Sequence, residues 1–176
     1  MDYDLINNFL NENNIILKAV LITHSHSDHT DLAERFAESR DVSIFMSSTE
    51  IDTYKIILMN LKRVEHQKKI VLGDFVVTPL ITPGHTMGST CYLIENNLFS
   101  GDTAFIEGVG ICHPNDTEKL YLSIQFLKLK LAETTMFWPG HSFGKSPGKE
   151  LSYLLRNNVY FQLEKKNILL NSEIGK

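Results

Sequence analysis

Residues 18–31 read KAVLITHSHSDHTD, an apolar run that stops abruptly in three histidines and an aspartate. Val20, Leu21 and Ile22 have the pattern of a buried strand, after which His24, His26, Asp28 and His29 crowd into six residues where a chain turns over. Two histidines one residue apart point the same way from extended backbone, whereas Asp28 and His29 follow the turn and face another direction. One loop can therefore feed ligands to two neighbouring metal ions. An H-x-H-x-D-H spacing is far more specific than any lone histidine.

Composition narrows what surrounds this loop. A chain of 176 residues, 43% hydrophobic, is expected to form a single domain with a sizeable core. Its formal net charge is −4, and its 17 Lys and Arg are scattered apart from the Lys68-Lys69 and Lys165-Lys166 pairs, so no basic face for nucleic acid is expected. The opening MDYDLINNFL is acidic where a signal peptide would be basic, and no apolar run approaches the ~18 residues of a membrane span. A soluble, cytoplasmic chain with no membrane partner is the expectation. Two cysteines, Cys91 and Cys112, are too few for a disulfide framework and are expected as free thiols.

Along the chain, residues 2–12 place Leu5, Ile6, Phe9 and Leu10 at helical spacing, and residues 15–23 form the strand that delivers the metal loop. Residues 31–40 read as an amphipathic helix with Leu32, Ala33 and Phe36 inward, and 42–46 as a second strand. Ser48 or Thr49 is expected to cap a helix running to about Leu61, with Thr49-x-x-Asp52 as the capping signal and Ile51, Tyr54, Ile57 and Leu58 as its buried stripe. From Ile70 the period changes to short β-branched strands broken at Gly73-Asp74, Pro83-Gly84 and a hairpin at Asn96-Asn97. A helix over 117–131, a strand over 134–138 with Trp138 in the core, and a terminal helix over 147–157 complete the reading.

Three further residues repeat one local grammar. His85 in TPGHTMGST, Asp102 in LFSGDTAF and His141 in FWPGHSFG each stand just after a strand and beside a glycine. Loops at the carboxyl ends of strands gather at one edge of an α/β core, so these three and the first loop can converge on one cleft. Cys112, His113, Tyr153, Tyr160 and the Gly144–Lys149 loop lie where they can reach the cleft rim, yet a loop cysteine, solvated side chains and a surface turn account for them as well. His66, in a charged stretch, reads as a surface residue.

THSHSDH, PGHTMGS, SGDTAF and PGHSFG, in this order, resemble the metallo-β-lactamase-fold hydrolases over nearly the whole chain. The resemblance is to the hydroxyacylglutathione hydrolase (glyoxalase II)-like branch, and FIEGVGICHPNDTEKLYLSI followed by PGHSFGKSPGKELSYLLRNNVYF is similar to its smaller bacterial members, some from polyketide gene clusters. It implies an α/β (α+β) fold, the αββα four-layer sandwich. It also implies a dinuclear site, with His24, His26 and His85 on the first metal, Asp28, His29 and His141 on the second, and Asp102 bridging. The family's domains begin with antiparallel strands ahead of the helix that opens this chain. Without them one sheet should keep an uncovered edge and inner face, so either an upstream extension or a partner copy in a homo-oligomer is expected to cover them.

Imidazole and carboxylate donors suit Zn²⁺, and the same set accepts Fe or Mn. Two such ions about 3.5–4 Å apart lower the pKa of a shared water toward 7, and the resulting hydroxide is the expected nucleophile, with Asp28 as the catalytic carboxylate that orients it. An acyl thioester, free or carrier-bound, suits this machinery because a thiolate leaves without prior protonation. Several positions depart from the family. Thr30, Asp31 and Leu32 stand where small residues are common, and Ile111 and His113 stand where glyoxalase II has a Lys and a Tyr that hold glutathione. The substrate expectation is therefore an acyl thioester other than that of glutathione. Alternatives are a mononuclear iron, persulfide-dioxygenase-like oxidoreductase using His24, His85 and Asp102, and a non-catalytic acyl- or metal-binding module.

Overall fold

The computed structural model describes residues 2–164. In chain order these are α1 (Tyr3–Glu12), β1 (Ala19–Leu21), α2 (Ser27–Thr30), α3 (Ala33–Arg40), β2 (Ser43–Ser47), α4 (Ser48–Tyr54), β3 (Leu61–Val64), β4 (Ile70–Leu72), β5 (Phe75–Ile81), β6 (Thr90–Ile94) and β7 (Asn97–Gly101). A 3₁₀ turn (Pro114–Asp116), α5 (Thr117–Lys130), β8 (Met136–Pro139), β9 (Lys149–Glu150), α6 (Leu151–Asn157) and α7 (Val159–Gln162) follow. The Lys165-Lys166 pair lies outside the described residues.

Two sheets form the centre, a parallel one of order β1-β2-β3 and a mixed one of order β4-β5-β6-β7-β8-β9. Strand alternation sorts their side chains into layers. Ile44 and Met46 of β2 face outward and pack with Ala33, Ala37 and Ile51 of α3 and α4. Phe45 faces inward with Val64, Val77 and Tyr92, between the sheets. On the other side, Leu80, Leu98 and Phe137 pack under Ile124 and Leu127 of α5 and Leu151 and Leu154 of α6. Helix, sheet, sheet, helix is the αββα sandwich. Among the described residues no helix is long and apolar enough to cross a membrane, and both cysteines are free, Cys91 buried and Cys112 half-buried.

Local differences from the sequence reading have physical causes. The fourth helix ends at Tyr54, because Lys55 is left-handed (φ 56°) and its N–H closes on the Ile51 carbonyl. Residues 61–64 then join β2 in parallel register, Ile44 beside Leu61 and Ser47 beside Val64, a long-range pairing that outweighs helical spacing. Ile57, expected in a buried stripe, is 91% exposed. The cap is Ser47, whose side chain accepts from the Glu50 N–H, and not Ser48 or Thr49. The terminal helix starts at Leu151, since Lys149 and Glu150 pair with β8. Trp138 is not core but 38% exposed. Its neighbour Phe137 faces the helices, so alternation turns the indole into a cleft of about 420 Å³ bounded by Leu21, Tyr92, Ile94 and Phe99. There its Nε1–H donates to Asn97 Oδ1 at 2.9 Å. β1, at the end of the parallel sheet, has no outer neighbour among the described residues.

Candidate metal centre

The two sheets meet at the site. Thr23, two residues after β1, accepts the Thr90 N–H of β6 through its carbonyl (2.9 Å), and the next residue is His24. His26 then has extended backbone and caps the single turn of α2, which carries Asp28 and His29 around to a different side. His85 follows β5 in a turn closed by Thr82 N–H to Ser89 O and Gly84 N–H to Thr86 O. Asp102 follows β7, where Gly101 adopts φ +49°, a left-handed turn whose Cβ would strike Thr23. His141 follows β8, tied to the end of β7 by Gly140 N–H to Gly101 O at 3.0 Å. All seven expected residues thus come together in one cluster.

They cluster in threes. His24 Nε2, His26 Nδ1 and His85 Nε2 lie 3.0, 3.0 and 3.2 Å from one another. Hydrogen bonds alone cannot satisfy such a triangle, because a proton on one nitrogen still leaves lone pairs opposed between the other two. Its edges are close to the spacing of nitrogens held ~2.0–2.1 Å from one tetrahedral ion. The His85 Nδ1–H donates to the Ile111 carbonyl at 2.6 Å, which fixes the tautomer and leaves Nε2 free as a donor of electrons. The second group joins Asp28, His29 and His141, with Asp28 Oδ2 3.1 Å from His141 Nε2 and 3.5 Å from His29 Nε2.

Asp102 stands between the two groups. Its Oδ1 is 3.4 Å from His29 Nε2, and its Oδ2 is 3.7 Å from His85 Nε2 and 3.5 Å from His141 Nε2. Among the described residues, Asp102 Oδ1 is the buried side-chain polar atom without a hydrogen-bond partner. An orphaned buried carboxylate oxygen costs free energy unless a cation meets it. The donor set therefore fits metal ions.

Electrostatics favour the ligand-competent protonation states. Burial, then repulsion from His29, His85, His26 and His141, holds His24 down to about 2. His29 is also lowered, its burial outweighing the attraction of Asp102 and Asp28. For Asp28, slight desolvation raises the pKa, but its backbone hydrogen bond and the adjacent His29, His141 and His26 outweigh it and keep the carboxyl below its ordinary value. Neutral imidazoles and ionised carboxylates are the forms that bind metal.

The remaining candidates sit at the margin. Exposed His113 caps the 3₁₀ turn by accepting the Asn115 N–H, and exposed His66 accepts the Ile81 N–H. Tyr153 donates to Glu107 at 2.7 Å, and Cys112 and Tyr160 line a separate apolar cavity. Glu50 escaped the sequence reading. This buried carboxylate reaches both the His24–His26 loop and the His85 loop, and Ser47-x-x-Glu50, the spacing of a capping box, was its available signal.

Residues 9–144 match the family model described as the Metallo-beta-lactamase superfamily. The chain is 42% identical over 172 residues to a protein of Bacillus velezensis named "Probable polyketide biosynthesis zinc-dependent hydrolase BaeB", covering 97% of this chain and 76% of that one. It is 31% identical over 142 residues to a "Hydroxyacylglutathione hydrolase" of Shewanella loihica, covering 81% of this chain and 54% of that one. Among solved structures, a metallo-beta-lactamase from Staphylococcus aureus superposes with a TM-score of 0.86 over 99% of this chain and 59% of its own, at 23% identity, a likeness of fold alone. The chain thus spans about half to three-quarters of the length of these relatives.

Proposed function

The chain belongs to the metallo-β-lactamase superfamily, and on that premise we propose that its 176 residues form a single domain acting as a dinuclear zinc-dependent hydrolase of acyl thioesters. The observation that carries this reading is Asp102, an orphaned buried carboxylate between a three-histidine group and an Asp-His-His group. His24, His26 and His85 would hold one ion, Asp28, His29 and His141 the other, and Asp102 both. Bound there, the ions supply Lewis acidity that makes water nucleophilic near neutral pH and polarises a carbonyl.

The chain's own groups do the rest. Asp28 is exposed at the cleft and already ionised, so it orients the attacking water and accepts its proton. Buried His24 stays neutral, the form in which an imidazole offers a lone pair to a metal ion. The wall behind His85 supports an acyl substrate. Ile111, whose carbonyl holds His85, also lines an apolar cavity of about 240 Å³ with Val109, Leu120, Tyr121, Ile124 and Tyr160, a lining suited to an alkyl chain. A thioester is favoured because its thiolate leaves without an acid to protonate it. The Bacillus relative's name adds polyketide biosynthesis, and we extend to this chain the corresponding substrate, an acyl group on a carrier thiol.

The test is elemental analysis of purified protein beside a screen of acyl thioesters differing in chain length and thiol. Two zinc equivalents and chelator-sensitive thioester hydrolysis are expected. One iron per chain, with oxygen uptake in the presence of a persulfide, would replace the hydrolase by an oxidoreductase.

A further inference from the structure

We propose that Glu50 is a positioning residue that locks the loops bearing His24, His26 and His85 into one ligand set. The inference rests on the metal-site reading above and goes beyond it by naming what holds that site in shape. Glu50 is the third residue of α4, capped by Ser47. In a capping box this glutamate would reach back to the cap's own N–H. Here it turns away. Oε1 accepts from the Ser25 N–H at 2.8 Å and from Ser25 Oγ at 2.7 Å. Oε2 accepts from the Gly88 N–H at 2.8 Å and from Thr86 Oγ1 at 2.9 Å. Ser25 lies between His24 and His26, and Thr86 directly follows His85.

One fully buried carboxylate therefore spans two segments about sixty residues apart. Burying a carboxylate is costly unless its lone pairs are met, and four donors meet them here. The contact is close as well as polar. Ser47 Oγ donates to the Gly88 carbonyl at 2.7 Å, and a Cβ on Gly88 would fall 2.2 Å from the Glu50 nitrogen. The His85 loop thus lies directly on the first turn of α4, which acts as a jig for it. Because each oxygen receives one backbone N–H, a glutamine cannot substitute without conflict. Its NH₂ must face either Ser25 N–H or Gly88 N–H, donor against donor, and one loop is released.

The experiment uses the full chain, stripped of metal by chelation, as wild type, Glu50→Gln and Thr86→Val. Zinc affinity is measured by competition with a chelating dye, and site occupancy by cobalt absorption. For Glu50→Gln, affinity at the three-histidine site should fall roughly 10–100-fold, as for other residues that orient ligands, while the Asp28, His29 and His141 site keeps its affinity. Turnover at limiting zinc should fall and recover with excess zinc. Thr86→Val, which removes one donor and leaves the carboxylate, should weaken the same site less. Unchanged affinity at the three-histidine site in both variants would overturn the proposal. So would an equal loss at both sites in step with lower stability of the metal-free protein, which marks a merely structural carboxylate. A wild type inactive on every thioester would sink the proposed substrate and leave this measurement standing, because it reads metal affinity.

Discussion

Gly140→Ala is the sharpest probe of the second metal position. Gly140 is exposed at the end of β8, so its side of the chain carries no core packing. A Cβ there would lie 2.5 Å from Asp102 Oδ1 and 2.6 Å from His29 Cε1. Favourable contacts begin near ~3.5 Å, so one or both groups must retreat by about 1 Å. Metal ligands tolerate only about 0.2 Å, and a misplacement of about 1 Å typically costs on the order of 10²-fold in rate. The variant should keep zinc at His24, His26 and His85, lose it at the Asp28, His29 and His141 group, and turn over thioester about 100-fold more slowly. Stability of the metal-free chain should change by less than about 1 kcal/mol, as for other exposed positions. Zinc per chain after dialysis, turnover at saturating thioester and a urea midpoint in chelator read these three quantities. Two zinc equivalents with wild-type turnover would refute the placement of Asp102 and His29 on a shared ion.

At saturating zinc, Asp28→Asn should reduce kcat far more than it raises KM, since an orienting carboxylate acts in the transition state, whereas Asp102→Asn, which removes the charge shared by both groups, should weaken metal binding the more; steady-state kinetics beside zinc titration separates the two. The metal-free protein should lose stability as pH falls. His24 is held to about 2 when folded but titrates near 6.5 when unfolded, so between those values the unfolded state binds more protons and the loss accumulates downward from about pH 6.5. Urea midpoints at pH 7.5, 6 and 5 that stay level or rise would contradict this. The 176-residue chain should also associate through the β1 edge, which has no outer neighbour among the described residues, and the cleft beside it, giving a light-scattering mass above one chain; a fully active monomer would show that this face needs no cover.

The candidate ligand set is legible in the amino-acid sequence because its information is local. His24, His26, Asp28 and His29 lie within six residues, and His85, Asp102 and His141 each follow a strand and a glycine, so backbone direction alone aims them. Helices with a clean apolar stripe are legible for the same reason, as at Phe36 of α3 and Leu120, Ile124 and Leu127 of α5. Where a residue's state depends on a distant partner, local pattern misleads. Residues 55–61 have helical spacing, but left-handed Lys55 and the parallel pairing of Leu61 with Ile44 make a loop and a strand. Trp138 has the character of a core residue, yet the side of β8 it faces is the uncovered one. Which side chains can bind metal is thus written in the chain, since spacing along the backbone sets which of them share a turn. How they are held is settled by packing across the fold. The Glu50 carboxylate meets Ser25 and Gly88 because α4 lies between the parallel sheet's first loop and the loop after β5, and hydrogen bonds between segments 25 and 38 residues away leave no period in the chain.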